Sequence, residues 1–116
     1  MQRLGSHAVG IEQGSLILFS DYLDGGAMWT GEGPRELRRL VEFSEPFLAP
    51  PCVQVTLSMW DVDQKHNGRM DLSADMVTEE GFVIVFHTWG DSRVARVRAD
   101  WLAIGALRSE DDWEVV

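Results

Sequence analysis

Apolar and polar residues alternate strictly along two segments of this chain, and this period of two is the feature that most constrains its fold. The apolar sets are Val53, Val55, Leu57 and Met59 in the first segment, and Met70, Leu72, Ala74 and Met76 in the second. Successive side chains of a strand point to opposite faces of a sheet. The pattern therefore predicts two strands, each with one buried and one solvated face.

Two later segments also indicate strands. Residues 82–89 are apolar on both faces as far as His87 and are rich in β-branched side chains, which favours a central strand covered on both sides. In residues 94–104, small and apolar side chains occupy one face, while Arg96, Arg98 and Asp100 occupy the other. We expect a partner surface to cover this mixed face, together with His87.

Turn-forming residues separate these segments. Glycine follows Glu, Gln, Asp or Asn at residues 12–14, 24–26, 67–68 and 80–81, and it precedes Asp at 90–91. Such combinations favour turns. The turn at 12–14, followed by the apolar run SLILFSDYL, predicts an N-terminal hairpin. Residues 34–41 allow one helical turn, but we favour a strand that leads into Phe43.

Several short strands at roughly ten-residue spacing predict a single all-β domain, either a sandwich or a barrel. With 116 residues, of which 45% are hydrophobic, the chain is long enough for one core and too short for two. Pro46, Pro50 and Pro51 fit a crossover between sheets, because proline cannot donate to a central ladder. We assign the domain to residues 1–108 and an acidic tail to 109–116, in which Trp113 is either solvated or docked on a neighbour.

Composition disfavours several classes of function. The formal net charge of −9 repels phosphate backbones, so we expect no nucleic-acid partner. No window is apolar enough to span a bilayer, and the N-terminus lacks the apolar region of a secretory signal. We therefore expect no membrane insertion and synthesis in the cytoplasm, with later release or attachment to a surface or particle left open. Cys52, the single cysteine, allows no intramolecular disulfide, and we expect it to be buried and inert.

The residues that carry chemistry do not form a catalytic or metal-binding motif. The chain has no G-x-S-x-G turn, and His66 and His87 lack the spacing of zinc ligands. The acidic segment 61–68 lacks the glycine and glutamate positions of a calcium loop, so turn capping is the preferred interpretation. We expect a turn role for His66 and an interior or interface position for His87. The prediction is a protein that is not an enzyme and uses no cofactor and no metal.

Arg69 and Trp89 each lie at a strand end beside a predicted turn, and together they suit a sugar. A guanidinium donates hydrogen bonds in a rigid fork, and an indole offers a wide apolar plate for the C–H face of a pyranose ring. Both residues also have a structural alternative, because Arg69 can pair with Asp71 or Asp91 and Trp89 can close the rim of the core. We expect the polar loop upstream of Arg35 to converge with them at one rim of the sandwich.

The chain resembles the H-type lectin domain, the family of the snail agglutinins and of the C-terminal domain of slime-mould discoidins. The resemblance runs from about Gly14 to Ile104 and is carried by the strings PFLAPPCVQVTLSMWDVDQKHNGRMDL, EEGFVIVFHTWGD and VRADWLAIG. It implies a six-stranded antiparallel β-sandwich and a homotrimer with its sites between neighbouring subunits. It also implies binding of galactose or N-acetylgalactosamine without catalysis.

The resemblance further implies which residues contact the sugar. The family's arginine falls on Arg69, its stacking tryptophan on Trp89 and its loop aspartate on Glu32. Glutamate keeps the charge but adds a methylene, which moves the acceptor outward and raises the entropy cost of fixing it.

Gly90 stands where snail members carry a histidine that also touches the sugar, so that contact is lost. The glycine opens the pocket, which leaves three outcomes: a larger glycan is accommodated, Asp91 or Arg93 substitutes from the same turn, or sugar binding is lost. The candidate carbohydrate site is therefore Glu32, Arg69, Trp89, Gly90 and Asp91.

Two functions from different classes remain open on these grounds. The first is a lectin that binds galactose-type or N-acetylgalactosamine-type glycans and adheres to glycan-coated surfaces, where linked sites in a trimer add roughly 10² to 10⁴ fold in avidity. The alternative is a trimeric structural or adhesin-like cap of a larger assembly, such as a phage-tail-like particle, that does not bind sugar. In that case the segment around Trp113 serves as the connector.

Overall fold

A computed structural model of the protein describes residues 1–5 and 8–108, so the predicted acidic tail at 109–116 lies outside the described residues. The described elements are β1 (Ala8–Ser20), α1 (Ala27–Thr30), β2 (Arg35–Glu42), β3 (Cys52–Val62), β4 (Met70–Asp75), β5 (Gly81–Thr88) and β6 (Val94–Leu107). They form two three-stranded sheets in the orders β1-β6-β3 and β2-β5-β4, with antiparallel pairing throughout. The predicted all-β sandwich with six antiparallel strands is confirmed.

The core lies between the two sheets, where their inner faces meet. Phe82, Ile84 and Phe86 of β5 and Val94 and Val97 of β6 are completely buried. Burial of side chains of this size stabilises the fold by about 1.5–3 kcal/mol each. An aromatic cluster fills one end of the core, with Phe43 5.0 Å from Phe47 and Phe82 5.5 Å from Trp101 between ring centroids.

The predicted strands and the crossover between sheets are also confirmed. β3 and β4 carry the alternating segments, β5 is the central strand of its sheet, and residues 34–41 contribute to the strand β2. Met76 is an exception, because it follows the end of β4 and is exposed rather than part of the buried face. The proline-containing segment 43–51 carries the chain from one sheet to the other. Cys52, however, is exposed, and the prediction of a buried thiol is wrong. It begins β3 on the same face as Gln54 and Thr56, opposite the core-facing valines.

The predicted N-terminal hairpin is also wrong, because β1 runs without a turn through residues 12–14. Gly14 lies directly opposite Trp101 of β6. A Cβ atom on Gly14 would come within 2.6 Å of the Trp101 indole. Gly14 is therefore not a turn residue. It leaves room for the Trp101 indole, which lies close to the backbone of the strand.

The face expected to contain Arg96, Arg98, Asp100 and His87 is divided between the two sheets. The first three residues lie on the exposed face of β6, whereas His87 lies on β5 and pairs in register with Glu36 of β2 and Asp71 of β4. His87 is exposed, and its Nε2 is 3.1 Å from Glu36 Oε1, so an interior position is excluded.

Three loops meet at one end of the sandwich: residues 21–34, 63–69 and 89–93. They follow β1, β3 and β5, respectively. β1 and β3 are both antiparallel to β6, so both end where β6 begins. β5 ends there as well, because the short turn 89–93 joins it to the start of β6. The crossover 43–51 and the turn 76–80 lie at the opposite end. The predicted convergence of Arg69, Trp89 and the loop before Arg35 at one rim is therefore built into the topology.

Candidate functional site

Arg35, the first residue of β2, ties two of the three loops together. Its Nη1 donates hydrogen bonds to the carbonyl oxygens of Ala27, Met28 and Ser92 at 3.3, 3.1 and 2.9 Å. Its Nη2 donates to Gly90 O at 3.3 Å, and its Nε donates to Gly33 O at 3.0 Å. Nη1 carries two hydrogens, so one of them is shared between two of its three acceptors, and the planar guanidinium serves all five carbonyl oxygens at once. The loop 21–34 and the turn 89–93 are consequently held as one unit.

Two hydroxyl groups fix the backbone at Arg69. Ser92 Oγ accepts a hydrogen bond from Arg69 N at 2.9 Å and donates one to Asn67 O at 2.6 Å. Thr88 Oγ1 donates to Arg69 O at 2.6 Å. Both hydroxyl-bearing residues are buried, so water does not compete for these bonds. The third loop, 63–69, is in this way latched to the end of β5 and to the turn 89–93.

The Arg69 side chain lies against Gly90. A Cβ atom at Gly90 would be 3.5 Å from Arg69 Nε and 3.6 Å from Arg69 Cδ, and the glycine has a φ of +69°. Gly33 N donates to Gly90 O at 2.9 Å, which brings the residue after Glu32 to the same turn. Within the described residues, Arg69 forms no ion pair with Asp71 or Asp91. Its guanidinium is therefore not occupied by either predicted structural partner.

Asp91 is anchored by a different neighbour. Its Oδ1 accepts a hydrogen bond from Asn67 Nδ2 at 3.3 Å. Desolvation raises the pKa of Asp91, but hydrogen bonds from the Asn67 side chain and from backbone amides outweigh this effect and place the pKa below its ordinary value. The carboxylate is ionised at neutral pH and is available as a hydrogen-bond acceptor at the rim.

Trp89 and Glu32 complete the set of predicted residues. Trp89 follows the last residue of β5 and remains 41% exposed, so it does not simply close the core. Glu32 is exposed in the loop that Gly33 joins to Gly90. The structure thus places Arg69 next to Gly90 and Asp91. Trp89 precedes Gly90 in the chain, and Glu32 precedes Gly33, whose N–H is hydrogen-bonded to Gly90 O.

Arg35, Thr88 and Ser92 shape the site but escaped prediction from the sequence. Thr88 and Ser92 bond to backbone groups that are distant in the chain, as does Arg35 to Gly90 and Ser92, and no local pattern reveals such pairs. The sequence does carry one indication for Arg35. It follows the Gly33-Pro34 pair at the end of a long loop, where few apolar core residues are near. Its five donors then find the carbonyl oxygens of the loops instead.

His66 and His87, the two histidines that the structure describes, do not form part of a metal centre there. His66 Nδ1 lies 3.0 Å from Asp63 Oδ2 in the loop 63–69, which confirms its turn role. Among the described residues, no three His, Cys, Asp or Glu side chains are grouped so that they could hold an ion. The helix of the described chain, α1, has four residues, and no helix there is long and apolar enough to cross a membrane.

Comparison with known proteins identifies relatives for this geometry. A sequence profile of the H-type lectin domain matches residues 38–104, a range that includes Arg69, Trp89, Gly90 and Asp91 but not Glu32. A protein of Fuscovulum blasticum named "ATP synthase subunits region ORF 7" is 63% identical over 115 residues, which are 99% of each chain. A discoidin-1 polypeptide of Dictyostelium discoideum is 33% identical over 81 residues, which are 69% of this chain and 32% of that protein.

The fold has a matching solved structure. Recombinant discoidin II of Dictyostelium discoideum superposes with a TM-score of 0.74 at 22% identity, over 90% of this chain and 40% of that chain. This likeness shows the fold, and the chain spans less than half the length of the discoidins that it matches. The family profile covers more than half of the chain, from within β2 to near the end of β6. The chain belongs to the H-type lectin domain family.

Proposed function

We propose that the protein is a lectin that binds galactose-type or N-acetylgalactosamine-type glycans at the loop end of the sandwich. One observation carries the proposal: the backbone of Arg69 is held by hydrogen bonds near an exposed Trp89, and no carboxylate within the described residues pairs with its guanidinium. A guanidinium with unpaired donors near an exposed indole matches the two faces of a sugar, one with hydroxyls and one with C–H groups.

The remaining predicted residues have complementary roles. Glu32 and Asp91 offer carboxylate oxygens that accept hydrogen bonds from sugar hydroxyls, and Gly90, against which the Arg69 side chain lies, adds no side chain of its own to the site. The hydrogen bonds from Arg35, Ser92 and Thr88 to the backbone reduce the conformational entropy lost on binding, because they already order the backbone of the site. The proposed activity is binding alone, with no reaction at the sugar.

We also propose that the protein acts as a homotrimer in adhesion to glycan-coated surfaces. Three exposed aliphatic side chains on the outer face of β1 support self-association: Val9 and Ile11 lie together near its start, and Ile17 follows after the polar Gln13 and Ser15. Exposed aliphatic groups that share a face favour a surface that another chain covers. Three linked sites would convert weak individual contacts into useful avidity.

The sugar site is tested with a glycan array and two point variants. The wild type is expected to bind galactose-terminated or N-acetylgalactosamine-terminated glycans. Trp89→Ala and Arg69→Ala are each expected to reduce binding at least tenfold, which is about 1.4 kcal/mol, because they remove the plate and the fork. Trp60→Ala on β3 and Arg38→Ala on β2, at exposed strand positions that belong to neither the candidate site nor the three loops, serve as matched controls and are expected to bind as the wild type does.

Two results would count against the lectin. The first is a folded wild type that binds nothing on the array, and the second is undiminished binding by both site variants. A trimer without any glycan binding would instead favour the structural cap of a larger assembly, for which the missing histidine at Gly90 is the supporting observation.

A further inference from the structure

A second concavity lies beside the candidate site, at the loop end of the sheet formed by β1, β6 and β3. Its volume is about 420 Å³, within the range of roughly 300–1,000 Å³ that small-ligand sites occupy. Ser20, Arg96 and Asp61 are register partners across the three strands and form its polar side. Its other lining residues are Tyr22, Leu23, Trp29, Val62 and Ala95. None of these residues belongs to the carbohydrate site assigned above.

An aromatic pair forms one wall of this groove. The rings of Tyr22 and Trp29 meet edge to face with centroids 5.0 Å apart and an interplanar angle of 75°. Tyr22 is 58% exposed and the neighbouring Leu23 is 88% exposed, although both stand on an ordered loop. Exposed aromatic and aliphatic groups next to one another favour contact with an apolar surface of a ligand.

Hydrogen bonds of Asp21 hold the loop that carries Tyr22 and Trp29. Asp21 N donates to Ala95 O at 2.7 Å, which ties the loop to the start of β6. Asp21 Oδ2 accepts from Met28 N at 3.0 Å, and Met28 itself is buried in the core. A wall fixed in this manner contributes affinity without the entropy cost of ordering it on binding.

The opposite side of the groove carries charges that cancel. Arg96 Nε lies 3.4 Å from Asp61 Oδ2, and both side chains are about half exposed. A charged ligand would have to compete with this pair, whereas a neutral ligand with hydroxyl groups can donate to the carboxylate and accept from the guanidinium while the pair stays intact. The lining therefore suits a neutral, polyhydroxylated ligand with one apolar face.

The groove and the candidate site adjoin through Arg35. Its Nη1 donates both to Met28 O, the residue before Trp29, and to Ser92 O, while Nη2 donates to Gly90 O. The backbone that carries Trp29 and the turn that follows Trp89 thus lie on either side of one guanidinium group. The backbones of the two regions are therefore close together, which is the arrangement that a ligand chain contacting both would need.

We propose that the groove is a second subsite of the lectin, which binds a neutral sugar unit next to the one held at Arg69 and Trp89. Tyr22 and Trp29 pack against the C–H face of that unit, and Arg96 and Asp61 hydrogen-bond its hydroxyls. This inference rests on the proposed function, because it extends the same glycan site. It makes the protein selective for oligosaccharides over single sugars.

Calorimetric titration of the full chain tests the subsite. The probes are the methyl glycosides of galactose and N-acetylgalactosamine and a set of neutral disaccharides that end in these sugars. We expect at least one disaccharide to bind the wild type about three- to tenfold more tightly than its methyl glycoside, as one further aromatic contact provides. Trp29→Ala and Arg96→Gln should abolish this gain and leave the affinity for the methyl glycosides unchanged.

Trp60→Ala is the matched control, since Trp60 is an exposed tryptophan on β3 that does not line the groove, and it should retain the gain. Arg96→Gln changes only an exposed side chain, so it reports on the subsite even if Trp29→Ala unfolds the loop. An unchanged disaccharide preference in Arg96→Gln, or no preference in the wild type, overturns the inference while the lectin stands. Dissociation of the oligomer by Trp29→Ala and Arg96→Gln also overturns it, since the groove is then a contact between copies. A wild type that binds no sugar at all removes the lectin itself and the subsite with it.

Discussion

Single side chains hold the candidate site together at its backbone rather than at its ligand-facing surface. Arg35 donates to five carbonyl oxygens in two loops, and Ser92 and Thr88 clamp both sides of Arg69. These bonds fix where Arg69 and Gly90 stand relative to each other. The residues that determine the shape of the site are therefore different from those that would touch a sugar.

For this residue we predict that Arg35→Lys lowers the free energy of unfolding by about 2–3 kcal/mol. A lysine ammonium is a single point donor and cannot bond at once to the carbonyl oxygens that surround the Arg35 guanidinium. Chemical denaturation measures the change. Arg38→Lys on the same strand is the control, since Arg38 pairs with Asp75 at the surface and its change should stay within about 0.5 kcal/mol. Equal stability of the two variants would show that the carbonyl bonds of Arg35 contribute little.

Among the elements, β6 carries a polar network on its exposed face that joins all three strands of its sheet. Asp100 Oδ1 accepts from Ser15 Oγ of β1 at 2.6 Å and from Ser58 Oγ of β3 at 2.8 Å, and Arg98 Nε donates to Ser58 Oγ at 2.9 Å. The hydrogen bonds from Ser15 and Ser58, aided by nearby Arg98, lower the pKa of Asp100 against the effect of desolvation. The strands are consequently tied together outside the core as well as within it.

A lowered carboxyl pKa in the folded state gives stability that is complete above the ordinary aspartate pKa of about 3.9 and is lost as pH falls through the folded value. We therefore predict that the double variant Ser15→Ala, Ser58→Ala loses less stability between pH 6 and pH 3 than the wild type does. Thermal melts across this range provide the measurement. Ser73→Ala on β4, outside the network, should follow the wild-type curve, and an acid response of the double variant equal to that of the wild type would contradict the prediction.

The elements also show how far sequence reasoning reaches. The strands of period two were predictable because each has one wet face, and the central strand β5 was predictable because both its faces are apolar. Gly14 was misread as a turn because the reason for a glycine there is Trp101, a residue distant in sequence. Helix α1 was not predicted, since it has only four residues and no side-chain cap at its N-terminus. The positions of Arg69 and Trp89 at one rim followed from strand order, whereas the bonds that lock them did not.

For the whole molecule, the outer face of β1 is the surface on which the proposed trimer depends. We predict that Ile11→Lys yields monomers, because it places a charge next to Val9 at the most exposed aliphatic position of this face. Size-exclusion chromatography with light scattering measures the mass of each species. Leu40→Lys is the matched control, since Leu40 is a comparably exposed side chain on the other sheet, and this variant should remain trimeric. A monomeric wild type, or dissociation caused by Leu40→Lys alone, would refute this assignment of the contact.

The pairing of Ala8 with Leu107 places the beginning of β1 and the end of β6 side by side, at the end of the sandwich opposite the three loops. The two strand ends therefore lie on the side of the domain opposite Arg69 and Trp89. A bead or a stalk attached at Ala8 or at Leu107 would display the three loops outward. The strand pairing alone thus sets which end of the domain an attachment at these two positions would display.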